Sequence, residues 1–473
     1  MATGKIKAVT DTLILGAGPG GYVAAIRASQ LGREVTLVEK TGTLGGICLN
    51  QGCIPSKALI HAAGVYHTAR NSTGMGIKAD KVELDMAALQ TWKRGVVKKL
   101  TDGVSKLISG NGVQAVQGEL QFIDGHNARI ETPDGVNRIE FRNLVVASGS
   151  RPIELSGFEF DGTGILSSTE ALELEEVPKS LLVVGGGYIG LELGTVYAKL
   201  GSSVTIVEML DGLLPGTDRE LVRVVERKLK RLKVKVHLGS RVTGCEKREQ
   251  GYLVNVEGGK GNSQIESEKV LVTVGRVPNT SGFGLENTGV ELDEHGFIKV
   301  DNRMRTNVGH IYAIGDAAGE PLLAHKASKE AVIAVENIAE LPSARDWKVI
   351  PAVIFTDPEI AYAGFSEEEA KEAGIAVVVG RFPFGASGRS LTMGEIDGFV
   401  KIVAREDDEK VIGTHIVGPE ASNLISEAAL AIEMNATLED IALTVHPHPT
   451  LPESFMEAAE VALGKPIHIL RKK

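Results

Sequence analysis

The sequence predicts an α/β protein: two doubly wound domains followed by a smaller α+β domain. Three observations predict it. A strand–glycine turn–helix–strand pattern occurs twice, without a gap, at a fixed offset of 169 residues. Glycine accounts for 56 of 473 residues. That exceeds the roughly 7% of an average protein and has no collagen-like period, so it serves turns and close backbone approaches. The pattern then changes after about residue 350, where short capped helices surround a hairpin.

The first copy, Leu13 to Glu39, reads LILGAGPGGYVAAIRASQLGREVTLVE, and the second, Leu182 to Glu208, reads LVVGGGYIGLELGTVYAKLGSSVTIVE. They superpose Gly16 on Gly185, Gly18 on Gly187, Gly21 on Gly190, Gly32 on Gly201 and Glu39 on Glu208. In each, an apolar run reads as a strand buried on both faces of a parallel sheet. A helix of about eleven residues follows and stops at Leu-Gly. A second strand ends in a carboxylate.

Residues from about 80 to 145 read as a long helix and then strands, with Asp134-Gly135 as a hairpin signal. LVTVGRVPN and TNVGHIYAIGD read as apolar strands ending in glycine turns. Near the C-terminus, Ser366 and Glu369 form a capping box stopped by Gly374. GFVKIVAREDDEKVIGTHIVG is a hairpin turning at Asp407-Asp408, and Ala421 to Met434 is an amphipathic helix. The expected domains are 1–150, 151–280, a central 281–349 and 350–473.

Composition excludes several classes. Charged residues number 51 basic and 61 acidic, a net −10, without the basic surplus of a nucleic-acid binder. No apolar run approaches the roughly 20 residues that span a bilayer. Met1 to Asp11 has neither an apolar signal core nor an Arg-rich amphipathic stretch. The expectation is a soluble cytoplasmic protein, or a mitochondrial matrix one if a transit peptide has been removed. Three cysteines, Cys48, Cys53 and Cys245, are too few and too odd for a secreted disulfide framework.

Each GxGxxG follows a strand, opens a helix and is followed by a carboxylate 23 residues after its first glycine. That combination marks a dinucleotide site. Gly16 and Gly185 permit the tight turn, Gly18 and Gly187 admit the pyrophosphate, and Gly21 and Gly190 let helix pack on strand. Glu39 and Glu208 are expected to bind ribose diols. Glu208 also favours NAD over NADP, whose 2′-phosphate would face a carboxylate. Two such sites imply two dinucleotides, FAD and NAD being the more common pair.

Cys48 and Cys53 lie in GGICLNQGCIPSKALI. Five residues apart in an ideal helix, their Cα atoms would stand ~8.6 Å apart, beyond the roughly 4.4–6.8 Å of a disulfide. A bond therefore needs a distorted segment, for which Gly52 supplies freedom. Pro55 suits the first turn of a helix starting just after, placing Cys53 near a helix N-terminus that stabilises a thiolate. Lys57 adds positive charge. Two inert thiols are the plain alternative. A thiol relay also needs a base, and HPHPTLPES offers His448 with Glu453 as its nearest carboxylate. His446 reads as structural. A zinc site of Cys48, Cys53, His446 and His448 is a rival with unfavourable ligand spacing, so no metal is expected.

GGICLNQGCIPSKAL resembles the redox signature of the pyridine nucleotide–disulfide oxidoreductases, in the form found in the branch that oxidises dihydrolipoyl groups. Both glycine motifs, VTVGRVPN, TNVGHIYAIGD and HPHPTLPES follow in the family's order. The resemblance implies FAD-dependent oxidation of dihydrolipoyl groups with reduction of NAD, through a Cys48–Cys53 disulfide. It implies domains for FAD, NAD, completion of the FAD site and dimerisation, in chain order. His448 and Glu453 match its base pair, which reaches the disulfide of the other subunit in an obligate homodimer. Asp316 resembles a contact to the FAD ribityl chain, with Ala324 on the same loop, and Gly118 a position near the adenine. Gly275 and Val242 resemble positions on the NAD side. Glu192 is placed to pair with Lys57, and Tyr188 either covers the flavin or packs. Partners implied are lipoyl domains or the core of a 2-oxo acid dehydrogenase complex, or the glycine cleavage system. Reductases of the glutathione or mercuric type, and a non-catalytic flavoprotein, are the alternatives; the C-terminal IHILRKK lacks the cysteine pair of a mercuric or large thioredoxin reductase.

Overall fold

In the first domain of this computed structural model the strands are β1 (Val9–Leu15), β2 (Val35–Glu39), β3 (Gln114–Gln117), β4 (Glu119–Phe122), β5 (Asn127–Thr132) and β6 (Gly135–Val146). The helices are α1 (Pro19–Gln30), α2 (Gly46–Gln51), α3 (Cys53–Arg70) and α4 (Met86–Gly110). Residues 8–259 and 261–471 are described. The first seven residues of the Met1–Asp11 stretch and the last two of the IHILRKK tail lie outside them. The parallel order is β3-β2-β1-β6. The first half of β6 pairs antiparallel with β5, and its second half runs parallel to β1.

The second domain repeats the plan. After β7 (Ser150–Pro152), β8 (Ile165–Leu166) and α5 (Ser168–Ala171) come β9 (Ser180–Val184), α6 (Tyr188–Leu200), β10 (Ser203–Val207), α7 (Arg219–Arg231) and β11 (Lys235–His237). A meander follows, β12 (Ser240–Arg248), β13 (Gly251–Gly258) and β14 (Ser263–Ser267), then β15 (Lys269–Val272) and β16 (Arg276–Pro278). The parallel order is β11-β10-β9-β15-β8, and β7 pairs with β16 as a ribbon apart from both sheets. The chain then returns: β17 (Ile311–Ala313) joins the first sheet beside β6, and α8 (Ala324–Ile338) packs on α1.

Alternation along the strands explains the layers. On β1, Ile14 joins a core with α1, α4 and α8, while Leu13 joins a core with Phe122, Ile130 and Phe141 of the antiparallel strands. On β9, Leu181 and Val183 face the α6 and α7 side, while Leu182 and Val184 face Tyr252, Val254 and Val256 of the meander. Both sheets are thus covered on both faces, as continuous apolar strands require.

The third domain has β18 (Ala352–Ile354), β19 (Glu359–Gly364), α9 (Glu367–Glu372), β20 (Val377–Pro383), α10 (Gly388–Met393), β21 (Phe399–Arg405), β22 (Val411–Gly418), α11 (Ala421–Glu433), α12 (Leu438–Leu443) and α13 (Glu453–Ala462). Its sheet is antiparallel, ordered β18-β19-β22-β21-β20, with a core of its own. The Ser366–Glu369 capping box forms as expected. Buried Lys401 ties this domain to the start of α7 through Asp218 and, at 2.8 Å, Glu220.

Helix α13 lies close on β20. A Cβ at Gly380 would stand 1.9 Å from the Ala458 carbonyl oxygen and 2.7 Å from the Ala462 nitrogen. Gly380→Ala should therefore push α13 off the sheet and cost about 1–3 kcal/mol of stability. A thermal melt checks this; an unchanged midpoint would mean that strand and helix are not in contact.

Candidate active site

The two glycine turns are built alike. Gly16 and Gly185 have φ of +94° and +104°, and a Cβ there would meet the Ala147 and Thr273 carbonyl oxygens at 2.4 and 2.5 Å. A Cβ at Gly21 would stand 1.8 Å from the Gly16 oxygen, and one at Gly190 2.4 Å from the Gly185 oxygen. Gly18 and Gly187 cap α1 and α6 without a side-chain hydrogen bond, leaving first-turn N–H groups for an anion.

The two strand-end carboxylates also match. Glu39 accepts from the Ala17 amide at 2.8 Å and the Thr41 amide at 2.9 Å. Glu208 accepts from the amides of Gly186 and Leu210 at 2.5 and 2.7 Å. Each carboxylate thus braces its own turn, a bond the sequence did not suggest. Expected as ribose ligands, both retain acceptor capacity for a second partner.

A cleft of about 480 Å³ opens at the first turn. It is lined by Gly16, Gly18, Glu39, both cysteines of the motif, Lys57, Ser150, Tyr188, Glu192, Arg276, Asp316 and Ala324. The chain bends there as the cysteine spacing requires. Gly52, at φ −141° and ψ −106°, breaks what would be one helix into α2 and α3. Cys53 is the first residue of α3, and Pro55 lies inside its first turn, as the sequence predicts.

Cys48 and Cys53 lie side by side within hydrogen-bond contact, as the expected redox pair requires. The hydrogen bond from Cys48, followed by the Lys57 charge, lowers Cys53 to about 7 against the effect of burial. Giving that bond, and then burial, push Cys48 strongly up. The two sulfurs are thereby made unequal, Cys53 shifted toward the thiolate and Cys48 toward the thiol.

Lys57 donates to Glu192 Oε2 at 2.8 Å, and its ammonium lies 4.5 Å from the centre of the Phe355 ring. Glu192 is buried, accepting also from Ser56 at 3.3 Å and, through Oε1, from the Phe355 amide at 2.9 Å. Tyr188 lines the cleft and is 44% exposed.

Some functional neighbours had no signal in the sequence. Arg276 donates to the Ser150 hydroxyl at 2.8 Å, which in turn donates to Asp316 Oδ2 at 2.5 Å. Buried Glu330 accepts from the Gly315 amide at 2.8 Å, and Lys326 pairs with it at 3.3 Å, so the turn carrying Asp316 is fixed from behind. Only a strand–turn–helix reading of IYAIGDAAGEPLLAHKASKE would have placed Glu330 there.

Other predicted residues lie elsewhere. Gly118 links β3 and β4, off the cleft lining; a Cβ there would meet the Glu131 oxygen at 2.7 Å, so packing alone requires glycine. Val242 is on β12, packed toward the meander core, and Gly275, at φ +131°, sits between β15 and β16. His448 is 77% exposed, is absent from the cleft of its own chain, and contacts Glu453 Oε1 through Nδ1 at 2.8 Å. Burial works against it, yet the Thr450 amide and His448 hold Glu453 below the usual carboxylate range. His446 is held by Glu427 at 2.9 Å and the Thr444 carbonyl at 2.8 Å, as expected of a structural residue. Among the described residues no three His, Cys, Asp or Glu side chains gather as a metal site, and no helix is long and apolar enough to cross a membrane.

The glycine cradles, the free helix N-termini and the Asp316 turn fit two dinucleotides, one beside the cysteines and one at Gly185–Glu208. Comparison with known proteins agrees. The model for the pyridine nucleotide-disulphide oxidoreductases matches residues 10–331, and that for their dimerisation domain matches residues 350–459. The chain is 52% identical to a dihydrolipoyl dehydrogenase of Geobacillus stearothermophilus and 51% identical to one of Haloferax volcanii, over the whole of each chain. The crystal structure of LpdA from Mycobacterium tuberculosis superposes with a TM-score of 0.89 at 29% identity, covering 95% of this chain and 99% of that one. The flavoprotein disulfide reductase RclA of Escherichia coli superposes at 0.85 with 25% identity, over 95% of this chain and 99% of its own. By matched models, full-length identity and a shared fold, this chain belongs to the pyridine nucleotide-disulphide oxidoreductase family.

Proposed function

We propose that the cleft oxidises dihydrolipoyl groups to the lipoyl disulfide and reduces NAD to NADH, with FAD between the two. The placement of the cysteine pair carries this reading: two sulfurs within hydrogen-bond reach of each other, beside Lys57, in the cleft at the first dinucleotide turn. Full-length relatives named dihydrolipoyl dehydrogenase support the substrate. In the oxidised pair, His448 of the partner subunit accepts a proton from the substrate dithiol through Nε2, while Glu453 orients the ring through Nδ1. The substrate thiolate attacks Cys48, the Cys48–Cys53 bond breaks, and Cys53 leaves as the thiolate that Lys57 stabilises. The second substrate thiol then attacks the substrate sulfur bound to Cys48, that bond breaks with the proton passing to the departing Cys48 sulfur, and the lipoyl ring closes. When bound, FAD supplies the two-electron carrier from the cysteine pair to NAD.

Residues 1–150 would bind FAD, 151–280 NAD, 281–349 complete the FAD site, and 350–473 make the homodimer. The return of β17 to the first sheet supports the central assignment, and the matched dimerisation model the last. Lys57, Asp316 and Ala324 would face the flavin side, with Gly118 toward its adenine; Val242 and Gly275 would face NAD. The lipoyl substrate would arrive on a 2-oxo acid dehydrogenase core or the glycine cleavage system, in the cytoplasm.

The direct test is anaerobic titration with dihydrolipoamide, expecting long-wavelength thiolate–flavin absorbance and then NADH formation. A colourless protein unable to take up FAD would refute the reading. Cys48→Ser should abolish turnover, and His448→Gln should lower it about 10²–10⁴-fold; full rate in Cys48→Ser would exclude the exchange step. In the reduced protein, ultraviolet thiolate absorbance, taken as wild type minus Cys53→Ser, should rise through about pH 7. Lys57→Met removes a positive neighbour and should move that titration to higher pH; an unmoved curve would show that Lys57 does not act on Cys53.

A further inference from the structure

Helix α13 opens with Glu453, the partner of His448. Glu457 follows one turn later and Glu460 nearly two turns later, on the same helix face. Glu457 is 4% exposed. One of its oxygens is held by His468 Nδ1, from the C-terminal tail. Its other oxygen and Oε2 of Glu460 are buried and have no hydrogen-bond partner. A buried carboxylate with a half-buried one beside it on the same face calls for a counter-charge.

The elements packed against α13 do not supply it. On β20, Arg381 is engaged by Glu220. On β21, Lys401 is engaged by Asp218 and Glu220, and Arg405 by Asp407 and Asp408. On α12, Glu439 and Asp440 are acidic, and Asp440 accepts from the amide and hydroxyl of the N-cap Thr437. Near Glu453 the remaining charged pair is His446 with Glu427. Among the described residues of the tail, Lys465 and Arg471 also lie near the end of α13, and His468 is the cation bonded to Glu457. Its bond to Glu457 holds His468 above the ordinary imidazole range, while burial and then Glu457 push Glu460 up.

We propose that His468 is a positioning residue for the His448–Glu453 base, balancing the Glu457 and Glu460 carboxylates behind it. The inference rests on the reading of His448 as the proton acceptor. Glu457 lies about 6 Å along the helix from Glu453. With the imidazolium gone, the uncompensated carboxylates favour the protonated form of the His448–Glu453 pair. The base then loses its proton only at higher pH.

The test is kcat/KM for dihydrolipoamide against pH in the FAD-loaded dimer of wild type, His468→Gln, His468→Lys and His448→Gln, each checked for flavin content and melting temperature. In His468→Gln the acidic limb should move up by roughly 0.3–1 pH unit. His468→Lys, which keeps the charge, should restore it. An unmoved limb in His468→Gln, or an equal shift in His468→Lys, would overturn the positioning role while leaving the base in place. Full activity in His448→Gln would overturn the base itself, and this inference with it.

Discussion

One carboxylate holds the three domains in register around the cysteines. Glu192 of α6 accepts from Lys57 and Ser56 of α3 through one oxygen and from the Phe355 amide, at the edge of the third domain, through the other. A buried carboxylate with one donor would be unstable; with three it is satisfied, and removing any donor leaves charge stranded in the interior. Lys57 is in turn held over the Phe355 ring. The positive charge beside Cys53 therefore depends on contacts made by all three domains.

The duplication extends further than the glycine pattern. Glu39 and Glu208 brace their turns through equivalent amides, Ala17 and Gly186 near the glycines and Thr41 and Leu210 two residues beyond the carboxylate. Each sheet is then covered on one face by helices and on the other by antiparallel strands. The copies differ where chemistry enters: after β2 the first chain turns into the cysteine helices, whereas after β10 the second runs to α7.

What was legible in the sequence was local. Alternating apolar strands, Leu-Gly stops, the capping box at Ser366 and the need for a break near Gly52 each rest on neighbours a few residues apart. The Lys57–Glu192 pair was also anticipated, because the resemblance placed both near one ring. Three features were not legible. Arg276, Ser150 and Asp316 come from three separated segments, so no spacing announces their chain of hydrogen bonds. Glu330 lies in an amphipathic helix where a carboxylate ordinarily faces water, yet it is buried against the Gly315 amide. The bonds made by Glu39 and Glu208 to their own turns were hidden behind a plausible ligand role.

Those turn bonds bear on how tightly a cofactor can be held. A glycine-rich loop is entropically expensive to order, and ordering it at the moment of association would weaken binding. Here the loop is fastened from within by its own acid. The mould is set during folding, so contacts made on association are not spent on stiffening the receptor.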